Sequence, residues 1–307
     1  MESRRKGDRE PGSGDRSPSH PQTKTNGSAG VVTVPEVAAS KGQRRLVMVT
    51  ATDEPSGRLV DRAGVDLVLV GDSLAMAALG RPDTLSVTMN EMVHHTRAVA
   101  AGVHRALLVA DMPFGSYQAA VAEAVRNACR LVAEGGARAV KLEGGREAEV
   151  AAITRAGIPV VAHLGLTPQS FHRMGGYRVQ AREVDDAIAL VAQAEALATA
   201  GAFLLVLEAI PEPVAALVTR RLPIPTIGIG AGGACDGQVL VWSDLLGLSQ
   251  GPLPRFVRRY AELGRIAEDA VAAFATDVRA GRYPAATECY PAPPGLAEAL
   301  AQKFGRE

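Results

Sequence analysis

Three apolar runs in this chain each end on a carboxylate. DLVLVGDS (66–73), ALLVADMPF (106–114) and AVKLEGG (139–145) deliver Asp72, Asp111 and Glu143. Short apolar runs that turn polar only at their ends predict strands buried on both faces. A buried carboxylate is costly unless it is paired or binds a cation, so three of them at equivalent ends of successive strands point to one shared cation site.

The same rhythm extends along the chain. Buried strands are predicted at 46–51, 66–72, 106–112, 139–144, 159–165, 203–210, 225–230 and 239–242. Ala-rich stretches of helical period separate most of them, at 88–101, 117–134, 146–156, 184–200 and 211–221, and a longer helix is predicted over 254–279. Eight apolar strands alternating with helices over about 240 residues predict a parallel (β/α)8 TIM barrel. A doubly wound open sheet is the alternative, but no GxGxxG follows the first strand.

Residues 1–30 hold no Val, Ile, Leu, Phe, Tyr, Trp or Cys, a composition that cannot offset its ordering entropy. A disordered N-terminal extension is therefore expected over 1–41, the catalytic barrel over 42–282, and a Pro-rich C-terminal tail over 283–307 with a short helix from about Leu296.

Composition narrows the function classes. Of 307 residues 47% are hydrophobic but only 4% aromatic, so aliphatic side chains must fill the core. Lys plus Arg equals Asp plus Glu at 33 each, a balance that argues against a nucleic-acid partner and permits an oligomer without strong self-repulsion. No window reaches the length of a membrane span and no apolar signal segment opens the chain, so a cytoplasmic enzyme of small molecules is expected. Cys129, Cys235 and Cys289 are odd in number and lack CxxC spacing, which fits a reducing compartment; Cys129 is expected in the core.

In such barrels the chemistry sits at the C-terminal ends of the strands. Those ends carry Thr50, Asp53, Asp72, Ser73, Asp111, Lys141, Glu143, His163 and Glu208. A structural polar role is open for each alone; their joint position is harder to explain that way. Asp72, Asp111 and Glu143 form an all-oxygen set suited to Mg²⁺, with Glu143 equally open to water-mediated ligation or to pairing with Lys141. Lys141 and Glu143, two apart on a strand, point the same way, so Lys141 can bind a substrate carboxylate or stabilise an enolate, with a Schiff base as the rival reading. Glu208 is the candidate proton acceptor, against the reading of an acid at the start of the following helix. His163 is open to a substrate contact or a structural hydrogen bond. His94 and His95, adjacent on a helix, diverge by about 100° and make a poor metal pair. The Gly-rich 228–237 segment permits close backbone approach to a ligand but lacks the GK[ST] of a P-loop.

Together these blocks resemble the ketopantoate hydroxymethyltransferase family over residues 42–282. The resemblance lies in LVLVGDSLAM (67–76), TLSVTMNEMVHHTRAV (84–99), LLVADMPFGSY (107–117), AVKLEGG (139–145), IPVVAHLGLTPQS (158–170), GGYRVQAR (175–182), LLVLEAIP (204–211) and IPTIGIGAGGACDGQVLVWSDLLG (224–247). It implies a barrel of the isocitrate lyase and phosphoenolpyruvate mutase superfamily. It also implies transfer of a hydroxymethyl group from 5,10-methylenetetrahydrofolate to 3-methyl-2-oxobutanoate through a Mg-stabilised enolate, with one Mg²⁺ per subunit and a homo-oligomer, decameric by resemblance. By motif, Asp72, Asp111 and Glu143 correspond to the metal site. Asp72, Ser73, Asp111, Lys141 and His163 correspond to substrate contacts, and Glu208 to the proton acceptor; folate-binding residues stay unassigned. The chain departs from the family pattern at Thr52, where a tyrosine is usual, in TLSVT for TLPVT, at Ala181 in QAR for QGR, and in its TECYPAPPG ending. The rivals are a carbon–carbon lyase or mutase of the same superfamily and a non-catalytic barrel used for binding.

Overall fold

The computed structural model describes residues 30–305, so the disorder expected for 1–29 lies outside the described residues. Eight strands, β1 (Leu46–Thr50), β2 (Leu67–Val70), β3 (Leu107–Asp111), β4 (Ala139–Glu143), β5 (Val160–Gly165), β6 (Leu204–Glu208), β7 (Thr226–Ile229) and β8 (Gly237–Leu240), close into a barrel in sequence order. Every neighbouring pair is parallel, β8 on β1 included.

Alternation along the strands sorts the apolar residues into two cores. Met48, Leu67, Leu69, Leu107, Val109, Val161, Leu204 and Val206 fill the barrel interior. Val49, Val68, Leu108, Val140, Leu142, Leu205 and Leu207 face outward and pack beneath the helices. Both faces of β2, β3 and β4 are dry, which is why the sequence shows continuous apolar runs there rather than alternation.

The helices are α1 (Val34–Ala39), α2 (Glu54–Arg62), α3 (Leu74–Ala77), α4 (Met89–Gly102), α5 (Val121–Ala133) and α6 (Glu147–Arg155). They continue with α7 (Phe171–Met174), α8 (Val184–Thr199), α9 (Glu212–Arg221), α10 (Trp242–Leu245), α11 (Leu263–Arg279) and α12 (Leu296–Phe304). Reciprocal capping at Thr33 with Glu36, Asp53 with Ser56, and Thr88 with Glu91 starts α1, α2 and α4 by satisfying amides that the first helical turn leaves free.

Four expectations change. Residues 31–41 are ordered, not part of a disordered extension: the Val32 amide donates to the Arg105 carbonyl, and Val32 and Val37 join the interior cluster at the N-terminal end of the barrel. Lys41 ties this segment down through a 2.8 Å ion pair with Asp236. The last strand is Gly237–Leu240 rather than 239–242, because β1 pairs Leu46 with Gly237, and Trp242 already opens α10. The helix expected from 254 begins at Leu263, since the Tyr260 and Leu263 amides donate to Leu245 and Leu246 and hold 254–262 in loop form. No residue of α11 or α12 is buried; Ile266, Val271, Phe274 and Val278 of α11 are exposed. Cys129 is exposed rather than in the core, while Cys235 is buried.

Candidate active site

The barrel register carries the polar strand ends to one rim. Asp111 stands opposite Lys141, Glu143 opposite His163, and Gly165 opposite Glu208. Lys141, Glu143, His163 and Glu208 fall on the same alternation as the interior residues Ala139, Val161 and Val206, so their side chains share the barrel mouth. A cavity of about 1340 Å³ opens there, bordered by Asp72, Ser73, Asp111, Lys141, Glu143, His163 and Glu208 together with Thr50. Asp53 is set apart from this rim: it caps α2, accepting from the Ser56 amide at 2.8 Å.

Asp72, Asp111, Lys141, Glu143 and His163 are at most 4% exposed. The Lys141 ammonium donates to Asp111 at 2.6 Å and lies 3.6 Å from Glu143. Burial works against that charge, but Asp111, Glu143 and Asp72 prevail and hold the ammonium above its ordinary range. Burial, then repulsion from Asp111 and Glu143, pushes Asp72 well above the usual carboxylate range. Burial also raises Asp111 despite Lys141. For Glu143 the opposite holds: burial is outweighed by Lys141 and His163, which keep it ionised below its usual range. His163 sits between two acids, its Nδ1 3.4 Å from Glu143 and its Nε2 3.3 Å from Glu208. Burial and Lys141 disfavour its charge, yet the two carboxylates raise it to about 9.

Two residues outside the sequence-derived set complete the cluster. Gln169, in the turn after β5, donates its side-chain amide to Asp72 at 2.9 Å and its backbone amide to Glu143 at 3.1 Å. The Tyr117 hydroxyl donates to Gln169 Oε1 at 2.7 Å and accepts from the Glu143 amide at 3.1 Å. Both stretches were in the motif blocks, but an uncharged amide and a phenol carry no signal of site chemistry without the contact.

The departures from the family pattern also have a place. Ala181 adopts φ +53° and Ala209, directly after Glu208, adopts φ +45°; the Gln180 amide donates to the Ala209 carbonyl at 2.9 Å. Left-handed backbone of this kind costs a residue with a Cβ about 1–2 kcal/mol. Thr52 is buried, and its carbonyl accepts from His95 Nδ1 at 2.6 Å, which gives His95 a structural partner. In the Gly-rich segment Gly230 and Gly232 border the cavity, and a Cβ on Gly230 would lie 2.6 Å from the Phe256 ring.

Among the described residues, no three Asp, Glu, His or Cys side chains are close enough to enclose a metal by themselves. The donor set still fits a hard cation. Glu143 Oε1 is buried without a hydrogen bond, and Asp72 borders the cavity with one oxygen held by Gln169. Burial and mutual repulsion raise Asp72, which marks a place where added positive charge would be favoured. Such a site suits an ion that keeps waters and takes one or two carboxylates plus substrate oxygens, the coordination common for Mg²⁺.

The chain is 54% identical over 271 residues to the 3-methyl-2-oxobutanoate hydroxymethyltransferase of Nitratidesulfovibrio vulgaris, covering 88% of each. It is 51% identical over 275 residues to that of Syntrophobacter fumaroxidans, covering 89% of this chain and 96% of the relative. Among solved structures it resembles a phosphoenolpyruvate phosphomutase from Streptomyces platensis, at TM-score 0.54 and 20% identity over 89% of this chain and 99% of that one. It also resembles 2,3-dimethylmalate lyase, described as a PEP mutase/isocitrate lyase superfamily member, at TM-score 0.53 and 17% identity over the same shares. At those identities the structures speak for the fold alone. The sequence profile described as Ketopantoate hydroxymethyltransferase matches residues 31–286, taking in α1 as well as the barrel. The chain belongs to the ketopantoate hydroxymethyltransferase family.

Proposed function

We propose that this enzyme transfers a hydroxymethyl group from 5,10-methylenetetrahydrofolate to 3-methyl-2-oxobutanoate, forming ketopantoate. Family membership supports the enzyme class and the product. The observation that carries the chemistry is the placement of Glu208 and the buried Asp72–Asp111–Lys141–Glu143 cluster on one cavity.

In this reading Asp72, Asp111 and Glu143 would hold one Mg²⁺, Glu143 directly or through water. The ion would supply positive charge against the 2-oxo and carboxylate oxygens, acidifying the neighbouring C–H. Lys141, kept as an ammonium by its carboxylate neighbours, adds a fixed cation beside the same oxygens; a retained ammonium also opposes the Schiff-base reading, which needs a free amine. Ser73 borders the cavity and contacts the oxo acid. Glu208 removes the proton from C3 of the substrate, and His163, within 3.3 Å, orients that carboxylate. The resulting carbanion forms a C–C bond to the methylene carbon of the folate. The balanced reaction consumes one water, which supplies the new hydroxyl oxygen as the C–N bonds to tetrahydrofolate break.

The cavity, at about 1340 Å³, is far larger than the oxo acid needs. Tyr177 and Phe256 border it and are part-exposed, offering aromatic faces to a pterin ring. Among the described residues no helix is long and apolar enough to cross a membrane, and the three cysteines are free, which supports a cytoplasmic location. The exposed apolar residues of α11 support a homo-oligomer, decameric by family resemblance, in which that helix is covered.

The test is an assay with 3-methyl-2-oxobutanoate and 5,10-methylenetetrahydrofolate across a divalent-metal series. Ketopantoate formed only with a metal supports the proposal. No ketopantoate, with cleavage of a malate-like acid instead, would decide for the lyase rival. Metal binding with no activity on any oxo acid would decide for the binding barrel.

A further inference from the structure

We infer that Gln169 is the positioning residue of this site: it holds Asp72 and Glu143 in fixed rotation so that one oxygen of each stays available to a divalent cation. The inference rests on the proposed cation site at those carboxylates.

The argument begins with the capacity of a primary amide, two donor hydrogens and two acceptor positions. All four are used. Gln169 Nε2 donates to Asp72 Oδ2 and to the Met112 carbonyl, each at 2.9 Å, while Oε1 accepts from Tyr117 at 2.7 Å and from Gln118 at 3.1 Å. Turning the amide over would set acceptor against acceptor at Asp72 and Met112, so its orientation is determined by its partners. The backbone amide of the same residue donates to Glu143 Oε2 at 3.1 Å. One buried residue after β5 thereby joins the ends of β2, β3 and β4.

The hydrogen bonds also run in one direction and close on themselves. The Glu143 amide donates to Tyr117, Tyr117 to Gln169, and Gln169 to Asp72 and back to the Glu143 side chain. Each carboxylate has one oxygen satisfied by a neutral donor. A Lys or Arg in this place would neutralise the charge that attracts a cation; an acid would repel Asp72. A neutral amide fixes the geometry and leaves the charge intact.

The experiment is titration of the full chain with Mn²⁺ alone, by calorimetry, alongside thermal melting in EDTA. The wild type should bind one Mn²⁺, and Asp72→Ala should not. Gln169→Met, which keeps the length of the side chain and removes both donors, should weaken Mn²⁺ binding at least tenfold. Tyr117→Phe leaves the ring packed but frees the amide, and should weaken binding about threefold, which keeps the inference testable if Gln169→Met fails to fold. A purely structural role would lower the EDTA melting temperature while the folded variants bind Mn²⁺ like the wild type; that result overturns the inference and spares the cation site. A wild type that binds no Mn²⁺ overturns both.

Discussion

The Nε2 atom of His163 lies 3.3 Å from a carboxylate oxygen of Glu208, while its other ring nitrogen faces Glu143 at 3.4 Å. The imidazole is 2% exposed and so bridges the buried carboxylate cluster to the acid on the far side of the cavity. Glu208 is thereby oriented by the imidazole while it borders the cavity. Glu208→Gln should retain 2-oxo acid binding and lower exchange of the C3 proton by about 10²–10⁴, the usual contribution of a positioned base. Deuterium exchange of 3-methyl-2-oxobutanoate followed by NMR measures this, and an unchanged rate would reject Glu208 as the base.

Lys141 is the ammonium that offsets three buried carboxylates. Lys141→Met keeps its bulk and removes the charge, leaving like charges buried together. A loss of about 3–5 kcal/mol is expected, the cost of breaking a buried ion pair. Added Mg²⁺ should restore part of it, so the variant's melting temperature should rise more steeply with Mg²⁺ than that of the wild type. A variant as stable as the wild type in EDTA contradicts this.

Gly165 takes φ +97°, and a Cβ there would lie 2.2 Å from the Glu208 carbonyl oxygen. That carbonyl accepts from the Leu166 amide at 2.8 Å, so the two strand ends are locked together beside the base. Gly165→Ala combines backbone strain with overpacking, each worth about 1–3 kcal/mol. Urea unfolding should show their combined loss, and the remaining folded protein should have lost most of its proton-exchange activity through displacement of Glu208. Wild-type exchange in a stable variant would show that the register does not set the base.

Asp236 anchors the segment before the barrel. Burial opposes its ionisation, but Lys41 at 2.8 Å and the Thr226 amide at 2.8 Å hold it below the usual carboxylate range. A depressed folded-state pKa contributes stability above the unfolded value of about 3.9, and that contribution is lost as pH falls through the folded value. Asp236→Asn should therefore cost about 1.5–3 kcal/mol at pH 7, typical of hydrogen bonds to a charged group, and progressively less below about pH 4. Denaturation curves at pH 7 and pH 3 test the sign: a deficit that grows on acidification refutes it.

Features confined to one strand or one turn are legible in the amino-acid order. Burial on both faces writes a continuous apolar run, and the abrupt change to Asp111, Lys141 with Glu143, His163 and Glu208 marks the end that meets the cavity. Two-residue periodicity put Lys141 and Glu143 on one face, and the eight-strand rhythm implied the barrel. Asp53 carries the same type of group at a similar place yet is a helix cap, because only the turn of the chain decides which way its side chain leads. Tertiary structure alone decided the contacts between segments far apart. Gln169 meets Asp72 across 97 residues, Tyr117 meets Glu143 across 26, and Lys41 meets Asp236 across 195. Val32 and Val37 fall in the stretch expected to be disordered, and only barrel closure creates the interior they enter. Local pattern reports which faces are dry and where they end. Which donors then meet the three carboxylates depends on closure bringing four strand ends within hydrogen-bonding distance, and no single segment encodes that.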